Sequence, residues 1–543
     1  MECVALIGSE APPQATEPVA RVNGARIATT STLLAILRNG SADRYDVFHL
    51  IEESAAPDAY AAQLADLGVD TSRVRIVPLA KVRQAVATTP YLALHDGSGP
   101  DLARLAAMVR PIAPEATPCT CRCHSLSYSN LVPGLLAGCL GGMVEDSDAV
   151  FCGSSDVATA LQNLIEHLCT VHGLPLESRR HRIEQVPLGI DVASFAPSVP
   201  APAARSLLGL PGSGRYVTYL GRLSPFDKAD LDVLLRAFAA LSRMEGNEDL
   251  HLLLAGDDTQ RYSGYLGARA QALGIARAVH VVPNVSETGK RLALWAADVF
   301  VSPADSVQES FGLTVIEAMA AGLPVVASDW GGYRDLVRDG SSGFLVPTAW
   351  GPCTSTVETQ AELGIFMSDH ILLGQGVVVD EEALRHRLRR LLDDEQLRRT
   401  MGAHAREQAA RFDWPVVVAR YEELWRELKQ RAVETRSPGS SAARPPSRFP
   451  FFEVFGHYAT HQLAPEDVIE LRTDAAGGPP PPVSLQLVVA QDAIQRMLSL
   501  LGGGPQPVAA LVRQETDLLG LLWLAKGGSV RIKRRAGAGR TPS

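Results

Sequence analysis

Cysteine and positive charge are both scarce in this 543-residue sequence. Eight cysteines are too few for a disulfide scaffold in a chain of this length, so reduced thiols are expected. Lys and Arg number 51 against 60 Asp and Glu, and the net charge of −9 excludes general nucleic-acid binding through a basic surface. Apolar residues still make up 46% of the sequence, which is enough for a sizeable core and excludes a mainly disordered chain.

Long hydrophobic runs are missing as well. A transmembrane helix needs about 20 apolar residues, whereas the longest candidate, 131–144, is shorter and carries Pro133 and several glycines. The first residues, MECVALIGSEAPP, lack the basic region of a signal peptide. We therefore expect a cytoplasmic protein, with peripheral contact to the inner face of a membrane left open.

Short apolar runs alternate with helical segments along most of the chain. A first set of buried strands is predicted at 3–7, 45–50, 75–78, 91–94 and 149–152, with helices at 102–109 and 155–168. The alternation restarts with strands at 216–220, 251–255, 279–282, 299–302, 324–327 and 343–346, and with a helix at 230–241. This order predicts parallel sheets with helices on both faces. Two α/β units in tandem are expected, with a hinge near 197–211.

The C-terminal part of the sequence is less regular. Residues 349–379 are too many for an ordinary connection, so we expect an insertion with some helix of its own. Residues 380–428 follow a helical pattern, and the run RSPGSSAARPPSR at 436–448 has the composition of a linker. Beyond the linker, GGPPPP at 477–482 cannot lie inside a helix or strand, whereas 498–523 is apolar enough for a small helical unit.

Two glutamates flank a predicted helix N-terminus after the strand at 299–302. Glu309 precedes the helix, Glu317 lies inside it, and Gly322 ends it in the left-handed conformation that glycine adopts most easily. Free backbone N–H groups near 311–314 favour an anion, and carboxylates accept hydrogen bonds from sugar hydroxyls. The pattern indicates a site for a phosphorylated sugar ligand. The alternative is that Glu309 caps the helix and Glu317 is solvated.

Two further loops follow predicted strands. Arg222 and Lys228 come after Gly221, directly behind the strand at 216–220, where open α/β sheets bind ligands. A guanidinium and an ammonium suit a diphosphate, although cations on a loop are more often solvated. Gly331 and Gly332 also follow a strand, at a place where a side chain would obstruct a bound ligand.

These segments together resemble the C-terminal half of retaining glycosyltransferases of family 4, also called glycosyl transferases group 1. The resemblance rests on GRLSPFDKADLDVLLRAF, LLLAGDD and ESFGLTVIEAMAAGLPVVASDWGGYRDLVRDGSSGFLV. VPLGIDVASFAP is similar to the inter-domain connection of that family, and FDWPVVVARYEELW resembles its closing helix. The N-terminal half matches loosely, since Gly8 stands alone where many members have a glycine pair.

The resemblance implies the GT-B fold, in which two Rossmann-like α/β domains face a central cleft. It assigns 1–197 to the acceptor domain, 198–410 to the nucleotide-sugar donor domain and 411–435 to a closing helix that returns to the first domain. The linker at 436–448 and an accessory region at 449–543, of unknown role, complete the predicted organisation.

The resemblance also implies roles for individual residues. Arg222 and Lys228 would hold the donor diphosphate, Glu317 the ribose hydroxyls and Glu309 the donor sugar. Further donor contacts are implied for Gly221, Val282, Pro283, Phe311, Gly312, Leu313 and Thr314. His124, which stands where the family often places a histidine at the end of a strand, would stabilise charge near the reacting carbon or orient an acceptor hydroxyl; a structural role is its alternative.

The implied reaction is retaining transfer of a hexose from a UDP- or GDP-linked sugar to an unidentified glycan, lipid or small-molecule acceptor. No metal and no other cofactor is required, because Arg222 and Lys228 supply positive charge where the diphosphate departs. A sugar-nucleotide epimerase or phosphorylase on the same fold and a non-catalytic nucleotide-sugar sensor remain open. No nucleic-acid partner is expected, and the oligomeric state is not predicted.

Weaker signals concern cysteines and acidic residues. Cys119, Cys121 and Cys123 would share one face of a strand and could bind a soft metal, although buried thiols are the expected state. Asp230 and Asp232 form a DxD pattern, which capping of the following helix explains better than metal binding.

Two remaining signals concern a histidine and the basic end of the chain. His95 and Asp96 follow the predicted strand at 91–94 and form a second candidate on the acceptor side, with a structural role as the alternative. The basic segment 531–540 could touch anionic lipid, but a solvated, frayed end is expected.

Overall fold

The computed structural model describes residues 1–8, 24–49, 57–78, 82–110, 112–140, 144–178, 180–353, 355–362, 368–435, 451–472 and 489–533. The predicted linker at 436–448, the proline run at 477–482, the loop after Gly8 and the tail from 534 lie outside these residues. The chain divides into two compact units, Met1–Asp191 with Arg411–Phe449 and Val192–Ala410 with Pro450–Ser543.

The first unit contains a seven-stranded parallel sheet in the order β3-β2-β1-β4-β5-β6-β7. Its strands are β1 (Cys3–Gly8), β2 (Arg44–His49), β3 (Val74–Pro78), β4 (Ala93–Asp96), β5 (Cys119–Cys123), β6 (Ala149–Cys152) and β7 (Arg182–Gln185). Its helices are α1 (Gly24–Asn39), α2 (Pro57–Asp66), α3 (Val82–Thr88), α4 (Leu102–Val109), α5 (Val132–Leu140) and α6 (Ser155–Val171).

Strand β4 corrects one prediction. Val4 and Ala5 of β1 pair with Ala93 and Leu94, so the strand runs on to Asp96. His95 and Asp96 therefore lie inside the strand, and the prediction that they follow it is wrong. Tyr91 and Leu92 lead into the strand and are buried, and Leu92 N donates a 2.7 Å hydrogen bond to Cys3 O of β1.

Strand β5 was not predicted because a charged residue interrupts its apolar pattern. Arg122 is 1% exposed, and its guanidinium donates hydrogen bonds to the Tyr421 hydroxyl and to Val186 O. These partners let an arginine occupy a buried strand.

The second unit contains a six-stranded parallel sheet in the order β10-β9-β8-β11-β12-β13. Its strands are β8 (Arg215–Leu220), β9 (Leu250–Gly256), β10 (Val279–Pro283), β11 (Val299–Ser302), β12 (Val325–Ser328) and β13 (Gly343–Val346). Its first helices are α7 (Ala201–Leu207), α8 (Asp232–Ser242), α9 (Tyr262–Ala272), α10 (Glu287–Trp295), α11 (Leu313–Ala320) and α12 (Tyr333–Leu336). All six strands agree with the predicted set, and the prediction of two α/β units is confirmed.

The predicted insertion forms elements of its own. It contains β14 (Thr348–Trp350), α13 (Ser355–Glu362), α14 (Ser368–Gln375) and β15 (Val378–Val379). Two long helices, α15 (Glu381–Asp393) and α16 (Glu395–Ala409), then complete the main body of the second unit. Four leucines at helical spacing on α15 are buried, which agrees with the helical pattern predicted from residue 380: Leu384, Leu388, Leu391 and Leu392.

The helix α17 (Trp414–Glu434) belongs to the first unit. Its Tyr421 and Trp425 are fully buried in the same apolar core as Phe151, and the Trp425 indole donates a 3.1 Å hydrogen bond to Thr120 Oγ1. Gly189 accommodates the Trp414 ring, since a Cβ there would lie 2.4 Å from it. The helix is held by these packing contacts.

The C-terminal region forms a mixed α/β layer that belongs to the second unit. Its elements are α18 (Phe451–Phe455), β16 (His461–Gln462), β17 (Val468–Leu471), α19 (Gln491–Gly502), β18 (Gln506–Pro507), α20 (Val508–Leu511), α21 (Glu515–Lys526) and β19 (Val530–Lys533). Strand β17 pairs with β18 and β19, so residues 531–533 lie in a sheet and the prediction that they are frayed is wrong. Within the described residues, no helix has both the length and the apolar character needed to span a bilayer.

Candidate functional site

The sequence-predicted donor residues lie at the switch point of the second sheet. Strand β8 pairs with β9 on one side and with β11 on the other, so the chain changes direction between β8 and β11. Ligands in open α/β sheets bind outside the carboxyl ends of the strands at such a point. The loop after β8 carries Arg222 and Lys228, and the loop after β11 carries Glu309.

Lys228 and Glu309 form a buried ion pair across these two loops. The Lys228 ammonium bonds to Glu309 Oε2, and the two side chains are 12% and 8% exposed. The Tyr333 hydroxyl donates a 3.2 Å hydrogen bond to the same oxygen, and Ser302 Oγ lies 2.7 Å from the Tyr333 hydroxyl. The ammonium is thus held next to a carboxylate at the strand ends, and the alternative that Lys228 is a solvated cation is wrong.

Arg222 has a different partner. Its guanidinium bonds to Asp227 in the same loop, and the Arg222 carbonyl accepts a 2.9 Å hydrogen bond from the buried Tyr219 hydroxyl. The Arg222 side chain is 33% exposed, so its charge is accessible to a ligand. Gly256, at the end of β9, lets this loop approach the strand, because a Cβ on Gly256 would lie 1.7 Å from Gly221 O. A Cβ on Gly221 would itself lie 3.1 Å from Lys228 Cε.

The N-terminus of α11 is built around Gly312. This residue occupies the N-cap with φ 111, without a side-chain cap, so Glu309 does not cap the helix and that alternative is wrong. Val315 N and Ile316 N make the first helical bonds, to Gly312 O, which leaves the N–H groups of Leu313 and Thr314 ahead of them. Gly322 ends the helix with φ 82, as predicted.

Glu317 is buried on α11 and paired with a lysine that the sequence did not single out. Glu317 is 5% exposed, and its Oε1 lies 2.6 Å from Lys290 Nζ on α10. Burial raises the pKa of Glu317, although the positive charge of Lys290 and, more weakly, that of Lys228 act to lower it. Burial alone would lower the pKa of Lys290, but Glu317 and Glu287 raise it above its ordinary value. The alternative that Glu317 is solvated is wrong.

The second carboxylate oxygen of Glu317 is available to accept a hydrogen bond. Glu317 Oε2 is buried and, within the described part of the chain, accepts no hydrogen bond; the same holds for the Thr314 hydroxyl one turn earlier. An unpaired buried acceptor is costly unless a ligand or water completes it. Lys290 also lies above the Phe195 ring, 5.8 Å from its centroid, which fixes the ammonium from the other side.

The structure explains why positions 331 and 332 are glycines, and the explanation differs from the predicted one. A Cβ at Gly331 would lie 2.6 Å from Glu309 O, and a Cβ at Gly332 would lie 2.5 Å from Ser310 O. Both glycines therefore admit the backbone of the loop that carries Glu309. We expected these glycines to leave room for a ligand, but the atoms that a Cβ would meet belong to the protein backbone.

Val282 and Pro283 end β10 on the far side of β9. Asn284 follows with φ 56, and its side-chain oxygen accepts a 3.0 Å hydrogen bond from Asp258 N in the loop after β9. The backbone at this strand end is thus fixed against the neighbouring loop. The donor contact implied for Val282 and Pro283 remains a prediction.

His124 lies in the first unit, directly after β5. Its Nε2 lies 2.7 Å from Gly97 O and 3.1 Å from Thr29 Oγ1, so Nε2 carries the proton that the carbonyl accepts. Burial, followed by Arg122, lowers the pKa of His124 to about 4. A neutral imidazole at physiological pH argues against the role of stabilising charge near the reacting carbon and leaves the role of orienting a hydroxyl.

Two weaker signals resolve into structural contacts. Asp232 binds Arg236 and Arg269, which are both largely buried, and its neighbour Asp230 accepts hydrogen bonds from Tyr262 and Asp232 N. The acidic pair therefore anchors α8 and is not arranged as a metal site. His95 is buried against the Phe151, Tyr421 and Trp425 rings, and burial lowers its pKa to about 3.

Cys119, Cys121 and Cys123 are fully buried on β5, as predicted. Burial raises the pKa of the Cys119 and Cys121 thiols well above the ordinary value. These two thiols are therefore inert side chains of the core.

Residues 202–350 match the family model described as glycosyl transferases group 1. This part of the chain is similar to the domains of that family. It contains Arg222, Lys228, Glu309, Glu317 and the switch point of the second sheet. The resemblance seen in the sequence motifs is thereby confirmed.

Curated relatives carry names of sugar transferases. The chain is 32% identical to the phosphatidyl-myo-inositol mannosyltransferase of Mycobacterium leprae over 235 residues, which are 43% of this chain and 51% of that protein. It is 41% identical to the D-inositol 3-phosphate glycosyltransferase of Mycolicibacterium gilvum over 176 residues, 31% of this chain and 37% of that protein. The chain thus spans about half the length, or less, of these relatives.

Solved structures share the fold over most of both chains. Sucrose-phosphate synthase from Thermosynechococcus elongatus aligns with a TM-score of 0.52 at 21% identity, covering 79% of this chain and all of that one. HepE of Anabaena, in complex with UDP-glucose, aligns with a TM-score of 0.51 at 20% identity over 78% of this chain and 99% of that one. Both alignments support the predicted GT-B fold, with the C-terminal layer as an addition.

Proposed function

We propose that this protein is a retaining glycosyltransferase that moves a hexose from a nucleoside-diphosphate sugar to a hydroxyl of a glycan, lipid or small molecule. The observation that carries the proposal is the buried Lys228–Glu309 pair at the switch point, between two loops of the part of the chain that matches the glycosyl transferases group 1 model. Fold-level similarity alone would not support a function, because one fold hosts many activities. The charges at this position supply the specific argument.

The cations are placed to bind the donor diphosphate and to stabilise it as it leaves. Lys228 supplies a point charge, and Arg222 supplies a partly exposed guanidinium that can bind phosphate oxygens in pairs. Without ligand these charges are held by Glu309 and Asp227, so the cations are ordered before the donor arrives. In many enzymes, charge that is already in place where negative charge develops accounts for much of the rate enhancement.

The carboxylates are placed to bind hydroxyl groups. Glu317 has one oxygen on Lys290 and a second, buried oxygen that can accept from a ribose diol. Glu309, next to Lys228, would accept from hydroxyls of the sugar itself. Hydrogen bonds to a charged acceptor are worth roughly 1.5–3 kcal/mol each.

The proposed step breaks the bond between the anomeric carbon and the phosphate oxygen and forms a bond from the acceptor oxygen to the same face of that carbon. The acceptor hydroxyl gives its proton to the departing diphosphate, whose charge Lys228 and Arg222 neutralise. UDP or GDP is the expected leaving group. Two similar proteins support this class: HepE of Anabaena is in complex with UDP-glucose, and the M. leprae relative is a mannosyltransferase.

Thermal-shift screening against UDP, GDP, ADP and their common sugars tests the proposal, because a ligand that binds only the folded state raises the melting temperature. The best donor is then incubated with and without acceptors that carry sugar or inositol hydroxyls. Acceptor-dependent release of nucleoside diphosphate is expected. An epimer or a sugar phosphate formed without acceptor would identify a different enzyme class, and binding without turnover would identify a sensor.

A further inference from the structure

Lys526, the last residue of α21 in the C-terminal region, is buried behind the predicted donor site. Its ammonium bonds to Asp305 Oδ2 and to Gly374 O, and the Lys526 and Asp305 side chains are 6% and 1% exposed. Asp305 opens the loop that leads to Glu309. The C-terminal region thus contacts the loop after β11 through the Lys526 ammonium.

Asp305 also connects this loop to the loop after β8. Its two carboxylate oxygens accept hydrogen bonds of 3.3 Å and 3.2 Å from Asp230 N, two residues after Lys228. The Asp230 carboxylate in turn accepts from Gln375 Nε2 and from the Tyr262 hydroxyl, at 3.2 Å and 3.1 Å. The buried Asp305 carboxylate therefore joins the loop that carries Glu309 to the backbone of the loop that carries Lys228.

The inserted helix α14 completes the arrangement. A Cβ at Gly374 would lie 3.7 Å from Pro225 O and 3.9 Å from Asp305 O, so the end of this helix touches both loops. Lys526 bonds to the carbonyl of that same glycine. One ammonium therefore ties the insertion, the C-terminal helix and the loop after β11 together.

We propose that Lys526 is a positioning residue for the transfer reaction: it neutralises the Asp305–Asp230 pair and so holds the two loops that present Lys228 and Glu309 to the donor. The proposal rests on the proposed function for its catalytic consequence. It assigns a role to the C-terminal region, whose purpose the sequence motifs leave open. Neighbouring carboxylates with little access to water need a cation if both are to stay ionised.

The surroundings of Asp305 support this charge argument. The pKa of Asp305 is raised to about 6: burial raises it most, Lys526 lowers it, and the Asp230 carboxylate raises it. Burial alone would raise the pKa of Asp230, but Lys526 and its hydrogen bonds bring it below the ordinary value. The other titratable and charged groups that act on the pair are Tyr219, Asp232, Arg236, Tyr262 and Tyr265.

Removing the charge of Lys526 is expected to have a pH-dependent effect. Without the ammonium in Lys526→Met the pKa of the Asp305 carboxyl rises further, so the folded protein must hold a proton that the unfolded chain does not, and this costs more free energy at pH 8 than at pH 6. A change that only disturbed packing would cost the same at both pH values. Asp305→Asn in the Lys526→Met background removes the excess charge and keeps an acceptor for Asp230 N.

Hydrogen exchange of the amides at 221–231 and 303–312, followed at pH 6 and pH 8 in the full chain, tests the positioning role without reference to activity. Protection in both segments is expected to fall at least about tenfold more in Lys526→Met at pH 8 than at pH 6, and to recover in the double variant. Lys533→Met is the matched control, because Lys533 lies in the same region, is 58% exposed and pairs only with Glu470 among the described residues.

Donor saturation kinetics on the same variants test the catalytic consequence. We expect kcat/KM for the donor to fall at least about tenfold at pH 8 in Lys526→Met, to fall less at pH 6, and to recover in the double variant. Equal losses at both pH values, or no recovery, would overturn the proposal. If Lys526→Met does not fold, Lys526→Gln, which keeps a donor for Gly374 O, replaces it.

The two proposals can fail separately. If the wild-type protein transfers no sugar with any donor, the proposed function is wrong, and the exchange data still decide whether Lys526 holds the loops. If transfer occurs but exchange in the two segments is unchanged in Lys526→Met, the positioning role is wrong and the proposed function stands.

Discussion

The Lys290 ammonium lies 2.6 Å from Glu317 Oε1, and this pair joins helices α10 and α11 beside the predicted ribose site. Because burial raises the pKa of Glu317, the carboxylate needs a cation to stay ionised. Lys290 supplies that cation and leaves the other oxygen for a ligand. The site therefore depends on a lysine outside the motif that carries Glu317.

Lys290→Met is expected to weaken nucleoside-diphosphate binding and to make it pH-dependent. Loss of the ammonium raises the pKa of Glu317 further, so the carboxylate is protonated over a wider range and binding should strengthen as pH rises from 6 to 9. Calorimetry at several pH values measures this effect, with Glu287→Gln as the control for the exposed neighbour of Lys290. Affinity that falls equally at every pH would contradict the electrostatic role.

Lys228→Met is expected to lower the turnover number by about 10²–10³, the usual cost of removing one charged group from a developing anion. Glu309→Gln should also lower turnover, because it removes the carboxylate that orders Lys228. Steady-state assays with the best donor provide the comparison, and Lys533→Met serves as a control for the loss of an ion-paired lysine elsewhere in the same unit. Wild-type rates in both Lys228→Met and Glu309→Gln would remove these residues from the mechanism.

Gly312→Ala is expected to destabilise the second unit by about 2–4 kcal/mol, since a Cβ at φ 111 would lie 2.6 Å from the Tyr333 ring. Gly264→Ala, on the exposed side of α9, meets open space and should gain about 0.5–1 kcal/mol through helix propensity. Urea unfolding curves of both variants measure the contrast. A Gly312→Ala protein as stable as Gly264→Ala would show that the helix start is not built as described.

His124 is expected to destabilise the first unit in acid. Its pKa in the folded chain is about 4, below the ordinary 6.5, so its contribution is fully present above pH 6.5 and is lost as pH falls through 4. His124→Gln should reduce the loss of stability between pH 6.5 and 4 by about 1–3 kcal/mol. Unfolding midpoints across this range provide the measurement, and the exposed His404→Gln should follow the wild type. An unchanged acid dependence in His124→Gln would contradict a buried neutral imidazole.

Sequence patterns predicted the second sheet best. Its central strands β11 and β12 are short apolar runs that are buried throughout, and the motif around Glu309 and Glu317 has the strand–loop–helix order found in the structure. Strand β5 was missed because Arg122 is paired with Tyr421, a residue about 300 positions away in sequence. A local pattern cannot show that a distant partner makes a buried charge acceptable.

The same limit explains the missed site residues. Lys290 and Lys526 do not belong to any sequence motif. Their roles follow from the buried carboxylates that they contact in the folded chain. A lysine in an otherwise apolar helix end, such as Lys526 after LLGLLWLA, was the one available signal, and its partner Asp305 could not be read from the sequence. The role of Gly331 was misjudged for a related reason, because the atom it avoids belongs to another loop.

Titration calorimetry of the full chain with the nucleoside diphosphate selected by thermal shift tests the central claim most directly. The account predicts one saturable site in the wild type, at least about tenfold weaker binding in Glu317→Ala, and unchanged binding in the exposed control His404→Ala. Binding by Glu317→Ala as tight as by the wild type, or no binding of any nucleoside diphosphate to the wild type, would contradict it.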